Sequence, residues 1–587
     1  MRGRTKKFLP GENTLMVTIA SFIGLAAGLV NIVFRTTVDF VHEHIFEYGY
    51  SFVSQGGWYL LLLPLIPMTG MVLLIPLSLM FPGEVNGYGF TKFLKKINLH
   101  GGVIKFHTII LKILATALSI GTGNSAGVEG PIAQVGGAVG SQVGQFFRVS
   151  GDRMKTYIAA GCAGGIGAMF NAPIAGVFFA AEIVLLGTYE ISSFSALVIS
   201  SAIATAVSRA YYGLSPAFPI SDFNIVQSLV EIPLYMLMGV IIGVIAVFYI
   251  TVFYRIRDWY ADFDIHPQLK PITGALMIGL IGIFFPEIMG DGYKYIEQIL
   301  SGDGVVWMML LLIFLKIFAT SITLGSGGAG GVFAPALFIG AMIGGTFGGV
   351  VHTLFPNVTA GPGAYAAIGI GAFLAASTHA PLTAIFLLFE MTGNHLVIIP
   401  IMLCSIIGTA VASRMKHDSI DTVDFTREGI DVHEGRETAV MKSIKVGRIL
   451  TEDVDFISEK ANVDQLLTIF SMTKDSFYFP VIDDSGHMTG IISLQDVKKI
   501  LHDEVLRCNA IVGDVCARNV SFVTPDDNLY SAMTIFDVKG IDEMPVVESA
   551  DSKWVLGMLK RKDVLNAYNH EVLMRGISER SCPIKIN

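Results

Sequence analysis

Charge is what this sequence has least of. Only 15% of its 587 residues are Asp, Glu, Lys or Arg, where a soluble globular chain carries roughly a quarter. No charged residue occurs from Asn13 to Phe34, from Gly57 to Pro82, from Thr156 to Ala181 or from Ile317 to Phe389. A helix that crosses a bilayer needs about 20 apolar residues. The first three stretches therefore have the length of spans, and the last is several times too long for one crossing and must fold back inside the membrane. The buried core of a large soluble protein does not read as repeated uncharged runs of this length. Cysteine is scarce as well. The five present (Cys162, Cys404, Cys508, Cys516, Cys582) have no metal-ligand spacing, which predicts free thiols and no metal site. A net charge of -8 without a basic patch argues against nucleic acid as a partner. The start, MRGRTKKFLPGEN, lacks a small-residue cleavage site, so it reads as the flank of a span and not as a cleaved signal. Arg2, Arg4, Lys6 and Lys7 place that flank in the cytoplasm by the positive-inside rule.

The composition changes near Arg414. Apolar, glycine-rich sequence gives way to RMKHDSIDTVDFTREGIDVHEGRE, and from about Ser443 short β-like runs alternate with amphipathic ones. The expected plan is a membrane domain over 1–415, a linker over 416–443, two α/β copies over 444–505 and 509–570, and a tail over 571–587. Both folded parts contain repeats. GVEGP (Gly127 to Pro131) recurs as GVFAP (Gly331 to Pro335), an offset of 331−127 = 204, and NAPIAGVFFAAE (Asn171 to Glu182) recurs as HAPLTAIFLLFE (His379 to Glu390), an offset of 390−182 = 208. Two ordered motifs with nearly equal offsets predict two halves, about 14–211 and 228–415, with the same helix plan. Transporters built this way hold their substrate at the repeat interface. In the soluble part, Tyr478 to Leu501 pairs with Glu543 to Tyr568, each reading strand, turn, strand, helix.

Chemistry concentrates in GTGNSAGVEGP and GSGGAGGVFAPALF. Glycines let backbone amides come close to a ligand, and a proline in the first turn opens a helix. A helix N-terminus carries partial positive charge and unpaired N–H groups, and so attracts an anion. Glu129 stands just ahead of the first such terminus. A carboxylate inside a membrane is costly and marks function by default, and this one could occupy the anion site as a tethered competitor. Phe333 takes the same place in the second half, with the amides of Val332 and Phe333 facing the ion. PGEVNGYGFTKF (Pro82 to Phe93) is weaker and could be an ordinary re-entrant turn.

These motifs resemble those of the CLC family of chloride channels and chloride/proton antiporters, followed by a pair of CBS domains. GVEGP resembles the family's G(K/R)EGP, GVFAP its GxFxP, and FNAPIAGVFFAAE its FNAPLAG helix; HAPLTAIFLLFEMTGN resembles the last pore-lining segment. The resemblance implies an all-α polytopic membrane domain with two inverted-topology repeats, a homodimer in the plasma membrane with one anion pathway per subunit, and cytoplasmic CBS domains. It implies Glu129 as the gating residue. The anion-binding set that follows is Gly127, Val128 and Gly130 in the first half, Val332, Phe333 and Ala334 in the second, and Tyr88 and Asp421.

Several positions depart from the pattern. The family's GSGIP serine is replaced by Tyr88, whose phenol could still donate to an anion. Its late anion-contacting tyrosine is replaced by Asp421, an acid that would repel chloride, which predicts that Asp421 points elsewhere or that the inner gate is open. Antiporters carry an inner glutamate directly after the position of Glu182; here that residue is Ile183. Val128 replaces a basic residue, which weakens the positive potential of the outer mouth. Glu182 and Glu390 end matching helices and read as structural. Lys316 reads as snorkelling or paired, and His352 and His379 as packed. The CBS motif, a glycine, a hydroxyl for phosphate and an aspartate for ribose, is met by Gly490, Ser493 and Asp496; in the second copy Gly557 and Asp563 match while Lys560 replaces the hydroxyl. No cofactor is required, but ATP, ADP or AMP could bind the pair, which could equally be a dimer strut.

The expectation is an anion channel, passive or weakly proton-coupled, carrying chloride. The near alternative is a chloride/proton antiporter, and the loss of the GSGIP serine suggests a fluoride exporter as a third. A CBS-containing divalent-cation transporter would need intramembrane aspartate clusters, which the run from Ile317 to Phe389 lacks. An enzyme is excluded because no catalytic domain remains beside the membrane segment and the pair.

Overall fold

The computed structural model describes residues 12–54, 56–149, 151–187, 191–214, 218, 231–430, 436–451, 454–472, 478–501, 510–549 and 551–577. The basic start with Arg2, Arg4, Lys6 and Lys7, as well as Cys508, Cys582 and the tail beyond 577, lies outside the described residues. The chain divides into two compact units, Met1–Asp424 and Phe425–Asn587.

The first unit is helical. Its first half runs α1 (Glu12–Val41), α2 (Tyr48–Val53), α3 (Leu65–Met80), α4 (Phe90–Leu99), α5 (His107–Ile120), α6 (Glu129–Phe146), α7 (Gly151–Phe170), α8 (Pro173–Phe179) and α9 (Ile191–Tyr212). The second half runs α10 (Glu231–Asp262), α11 (Lys270–Gly282), α12 (Tyr293–Leu300), α13 (Val306–Ser326), α14 (Phe333–Leu354), α15 (Pro362–Thr378), α16 (Pro381–Thr392) and α17 (Ile398–Met415). The uncharged run from Ile317 to Phe389 is thus resolved into parts of four helices. Among the described residues, seven helical stretches are long and apolar enough to cross a membrane.

The halves repeat in packing as well as in order. Helix α1 lies on α9 and α7, and α10 lies on α17 and α15; α6 packs on α7 as α14 packs on α15. The close approach of each pair depends on glycine. A Cβ at Gly140 would strike the carbonyl of Tyr157, and a Cβ at Gly344 would strike that of Tyr365, so the backbones meet where no side chain could fit. The helix starts repeat too. Asn171 (φ 58°) and His379 (φ 56°) are both left-handed. The alanine after each is kept out of the helical region by the following proline, and Pro173 and Pro381 open α8 and α16. The two copies run in opposite directions. The carboxylate of Glu182, just beyond α8, accepts from the amides opening α16, and that of Glu390, near the end of α16, accepts from those opening α8.

The second unit holds two α/β copies. In the first, β1 (Ile457–Ser458) runs parallel to β2 (Tyr478–Ile482), which is antiparallel to β3 (Met488–Ser493). In the second, β4 (Glu543–Val547) is antiparallel to β5 (Val555–Lys560). Each sheet packs on its own helices, around Phe479, Val481 and Ile492 in the first copy and around Phe536, Val546 and Leu559 in the second.

Candidate functional site

The two glycine-rich loops meet. Gly127 N donates to Gly331 O at 2.8 Å and Gly331 N to Gly127 O at 2.7 Å, an antiparallel bridge that sets the first turns of α6 and α14 against each other. In α14 the first intrahelical bond is Ala336 N to Val332 O at 3.0 Å. The amides of Phe333 and Ala334 therefore lack an intrahelical acceptor and, with Val332 at the cap, form the electropositive end of the helix. Gly130 packs on Gly331 from the other side, and Val128 caps α6.

Glu129 is fully buried and is the first residue of α6, where the sequence placed it just ahead of the helix. Its side chain reaches across to α14. A Cβ at Gly127 would collide with Glu129 Oε2 and stand 2.9 Å from the Ala334 nitrogen, so the carboxylate lies at the opposed N-terminus. Oε1 accepts from the Tyr293 hydroxyl at 2.5 Å. The backbone amides of Glu129 and Ala334 also point to this carboxylate.

Tyr293 was not singled out by sequence reasoning, although a signal existed. It belongs to GDGY (Gly290 to Tyr293), which pairs with GYGF (Gly87 to Phe90) at an offset of 290−87 = 203. Each segment is tied to a glycine-rich loop: Gly290 N donates to Gly123 O at 3.0 Å, and Gly87 N to Gly327 O at 3.0 Å. Each also has a buried lysine behind it, and 316−112 = 204. The Lys316 amine donates to the carbonyls of Ile288 and Gly290, both at 2.9 Å, and so fixes the loop that presents Tyr293; it is fully buried, not snorkelling. The Lys112 amine stands 2.7 Å from where a Gly89 Cβ would be, placing a cation behind GYGF. A cavity of about 480 Å³ opens beside Tyr293, lined by Asp39, His42, Glu287, Asp291 and Lys294 among others.

At the GYGF segment, the Tyr88 hydroxyl donates to Asp421 Oδ1, and both residues are buried. The expectation was that Asp421 turns from the anion or that the inner gate stands open; in the structure the two departures from the family pattern meet and bond. The turn holding Asp421 is fixed by Ile420 N to Ser377 O at 3.0 Å and by the Tyr254 hydroxyl to Ile420 O at 2.8 Å. Ring contacts link the GYGF segment to the start of α14, with Phe90 to Phe179 at 6.0 Å and Phe179 to Phe333 at 5.5 Å.

Ile183 is buried. Its neighbour Glu182 accepts from the Leu382 amide at 3.1 Å and from the Thr383 amide and hydroxyl at 2.7 Å each, so it caps a helix. His352 Nδ1 lies 3.2 Å from the Thr359 hydroxyl. In the second unit, Asp496 accepts from the Ser493 amide at 3.0 Å and hydroxyl at 2.6 Å; the two motif residues cap the helix after β3. Lys560 faces Glu543 at 3.7 Å. Gly490 and Gly557 lie where a Cβ would meet Cys516 and the Thr451 carbonyl, and Asp563 stands in the first turn of the helix after β5. Burial pushes the Cys516 thiol up.

Two inverted halves with opposed helix N-termini and a carboxylate lodged between them define a multi-pass membrane protein that transports anions. The chain belongs to the CLC family: residues 69–413 match the model of the voltage gated chloride channel, and 446–503 and 512–570 each match the CBS domain. It is 31% identical to an H(+)/Cl(-) exchange transporter, ClcA, of Vibrio vulnificus over 412 residues, 68% of this chain and 86% of that one. It is 27% identical to chloride channel protein CLC-f of Arabidopsis thaliana over 641 residues, 96% and 80% of the two chains. A slow cyanobacterial Cl-/H+ antiporter of known crystal structure has a TM-score of 0.64 and 25% identity, over 70% of this chain and 97% of that chain.

Proposed function

We propose that this protein exchanges protons for chloride, or a similar small anion, through a pathway gated by Glu129. The observation that carries the reading is the seat of the Glu129 carboxylate: buried, held by Tyr293, and lodged against the first amides of α14. An ionised carboxylate there competes with an anion for the same helix end. Protonation removes the charge and frees the seat, so one residue serves both ions. Two relatives whose names or titles specify proton exchange favour this over the uncoupled channel expected from the sequence. The uncoupled reading keeps one observation on its side, the apolar Ile183 beside Glu182. In this proposal the chain is a homodimer in the plasma membrane with cytoplasmic CBS domains, which bind an adenine nucleotide through Gly490, Ser493, Asp496, Gly557, Lys560 and Asp563.

The test is reconstitution of the purified protein in vesicles with an outward chloride gradient and no proton gradient. Exchange predicts chloride-driven proton uptake that Glu129→Ala abolishes. Chloride efflux without proton movement would leave the channel reading.

A further inference from the structure

We propose that Asp421, held by Tyr88, is the proton-binding residue at the opposite end of the pathway from Glu129, a role Ile183 cannot fill. The inference rests on the exchange reading above. Asp421 is 1% exposed. Oδ1 accepts from Tyr88, and Oδ2 is buried with no hydrogen-bond partner. The ionisable groups facing it are phenols: Tyr88 from the GYGF segment, and Tyr249 and Tyr254 from α10. The nearby cations are engaged or stand behind backbone. Arg257 makes two bonds to Asp424, at 2.6 and 2.8 Å, and Lys95 donates to the Asp424 carbonyl at 3.0 Å. The Lys112 amine lies behind Gly89.

A purely structural latch on Tyr88 needs only an acceptor, which a neutral amide supplies without an intramembrane charge. The carboxylate adds the capacity to take a proton at Oδ2. The arrangement also repeats the one at the other end. Tyr88 and Tyr293 come from the matching segments GYGF and GDGY, and each bonds one buried carboxylate. Because the halves are inverted, these two carboxylate–phenol pairs stand at opposite ends of the seam. In the exchange cycle a hydronium ion protonates Asp421, releasing water. The O–H bond is later broken there and made at the Glu129 carboxylate as one anion passes the other way, and Tyr88 keeps its own proton throughout.

The test uses the full chain in vesicles under the chloride gradient above, reading proton and chloride flux together. In Asp421→Asn, which keeps an acceptor for Tyr88, proton movement coupled to chloride is expected to be lost while chloride flux persists. Tyr88→Phe keeps the acid and removes its donor, so it should shift the pH profile read on the Asp421 side and not the one read on the Glu129 side. A wild-type ratio in Asp421→Asn, or an unmoved profile in Tyr88→Phe should the first variant not fold, overturns the role of Asp421 while leaving exchange intact. No proton movement in the wild type overturns both.

Discussion

Glu182 and Glu390 cap each other's helices: Glu182 accepts from the first amides of α16, and Glu390 from Ile174 N at 3.1 Å and Ala175 N at 2.8 Å at the start of α8. The contact is symmetric, charge-assisted and partly shielded. Hydrogen bonds to a charged group contribute about 1.5–3 kcal/mol, and a carboxylate at a helix N-terminus adds to this. Glu390→Ala is therefore expected to destabilise the membrane unit by about 1.5–3 kcal/mol, read as a lowered thermal midpoint in detergent. Glu390→Gln should recover part of the loss by keeping an acceptor. An unchanged midpoint in the alanine variant would show that water replaces the cap at no cost.

Acidifying the Glu129 side should raise anion flux, because protonation discharges the competitor at the α14 N-terminus. Glu129→Gln and Glu129→Ala should lose most of that dependence. The measurement is anion flux against pH on that side, and a full wild-type profile in Glu129→Ala would remove the gating role.

The Tyr293 hydroxyl steadies the seated carboxylate. Tyr293→Phe removes a hydrogen bond to a charged group, about 1.5–3 kcal/mol, which is roughly a ten- to hundredfold shift toward the unseated form. Flux at alkaline pH is expected to rise accordingly, with Glu129→Ala erasing the difference between Tyr and Phe.

Lys316 acts on the same residue through the backbone. Lys316→Met leaves the Ile288 and Gly290 carbonyls without their donor, at about 1–3 kcal/mol each. The expected result is a lower thermal midpoint together with a pH profile resembling that of Tyr293→Phe.

For the second unit, calorimetry on the purified chain should show heat with ATP, ADP or AMP, and Asp563→Ala should weaken the binding about tenfold or more. Absence of heat at millimolar nucleotide would leave the pair as a strut.

The GVEGP and GVFAP loops were legible in the sequence because glycine, proline and the absence of charge leave a strong pattern, and Glu129 stood out against it. The GYGF and GDGY pairing was weaker: only two glycines and an aromatic ring survive. The lysines behind them keep the 204-residue offset of the loops, a signal that was available. The partners themselves could not be read. Tyr293 bonds a residue 164 positions away and Tyr88 one 333 positions away. Asp421, taken alone, looked hostile to an anion, and only its bond to Tyr88 shows what faces it. Glu182 and Glu390 read as structural from their place at helix ends, but that each serves the other's half follows from the inversion, which composition does not encode.

The bridge between Gly127 and Gly331 joins two copies of one plan. Had the copies stayed alike, the conduit through the seam would be the same seen from either end and would have no sense of direction. Glu129 has Phe333 as its counterpart in the repeat, and Tyr88 has Asp291. These mismatches, set in an otherwise repeated frame, give the seam two distinguishable ends and hence a vector.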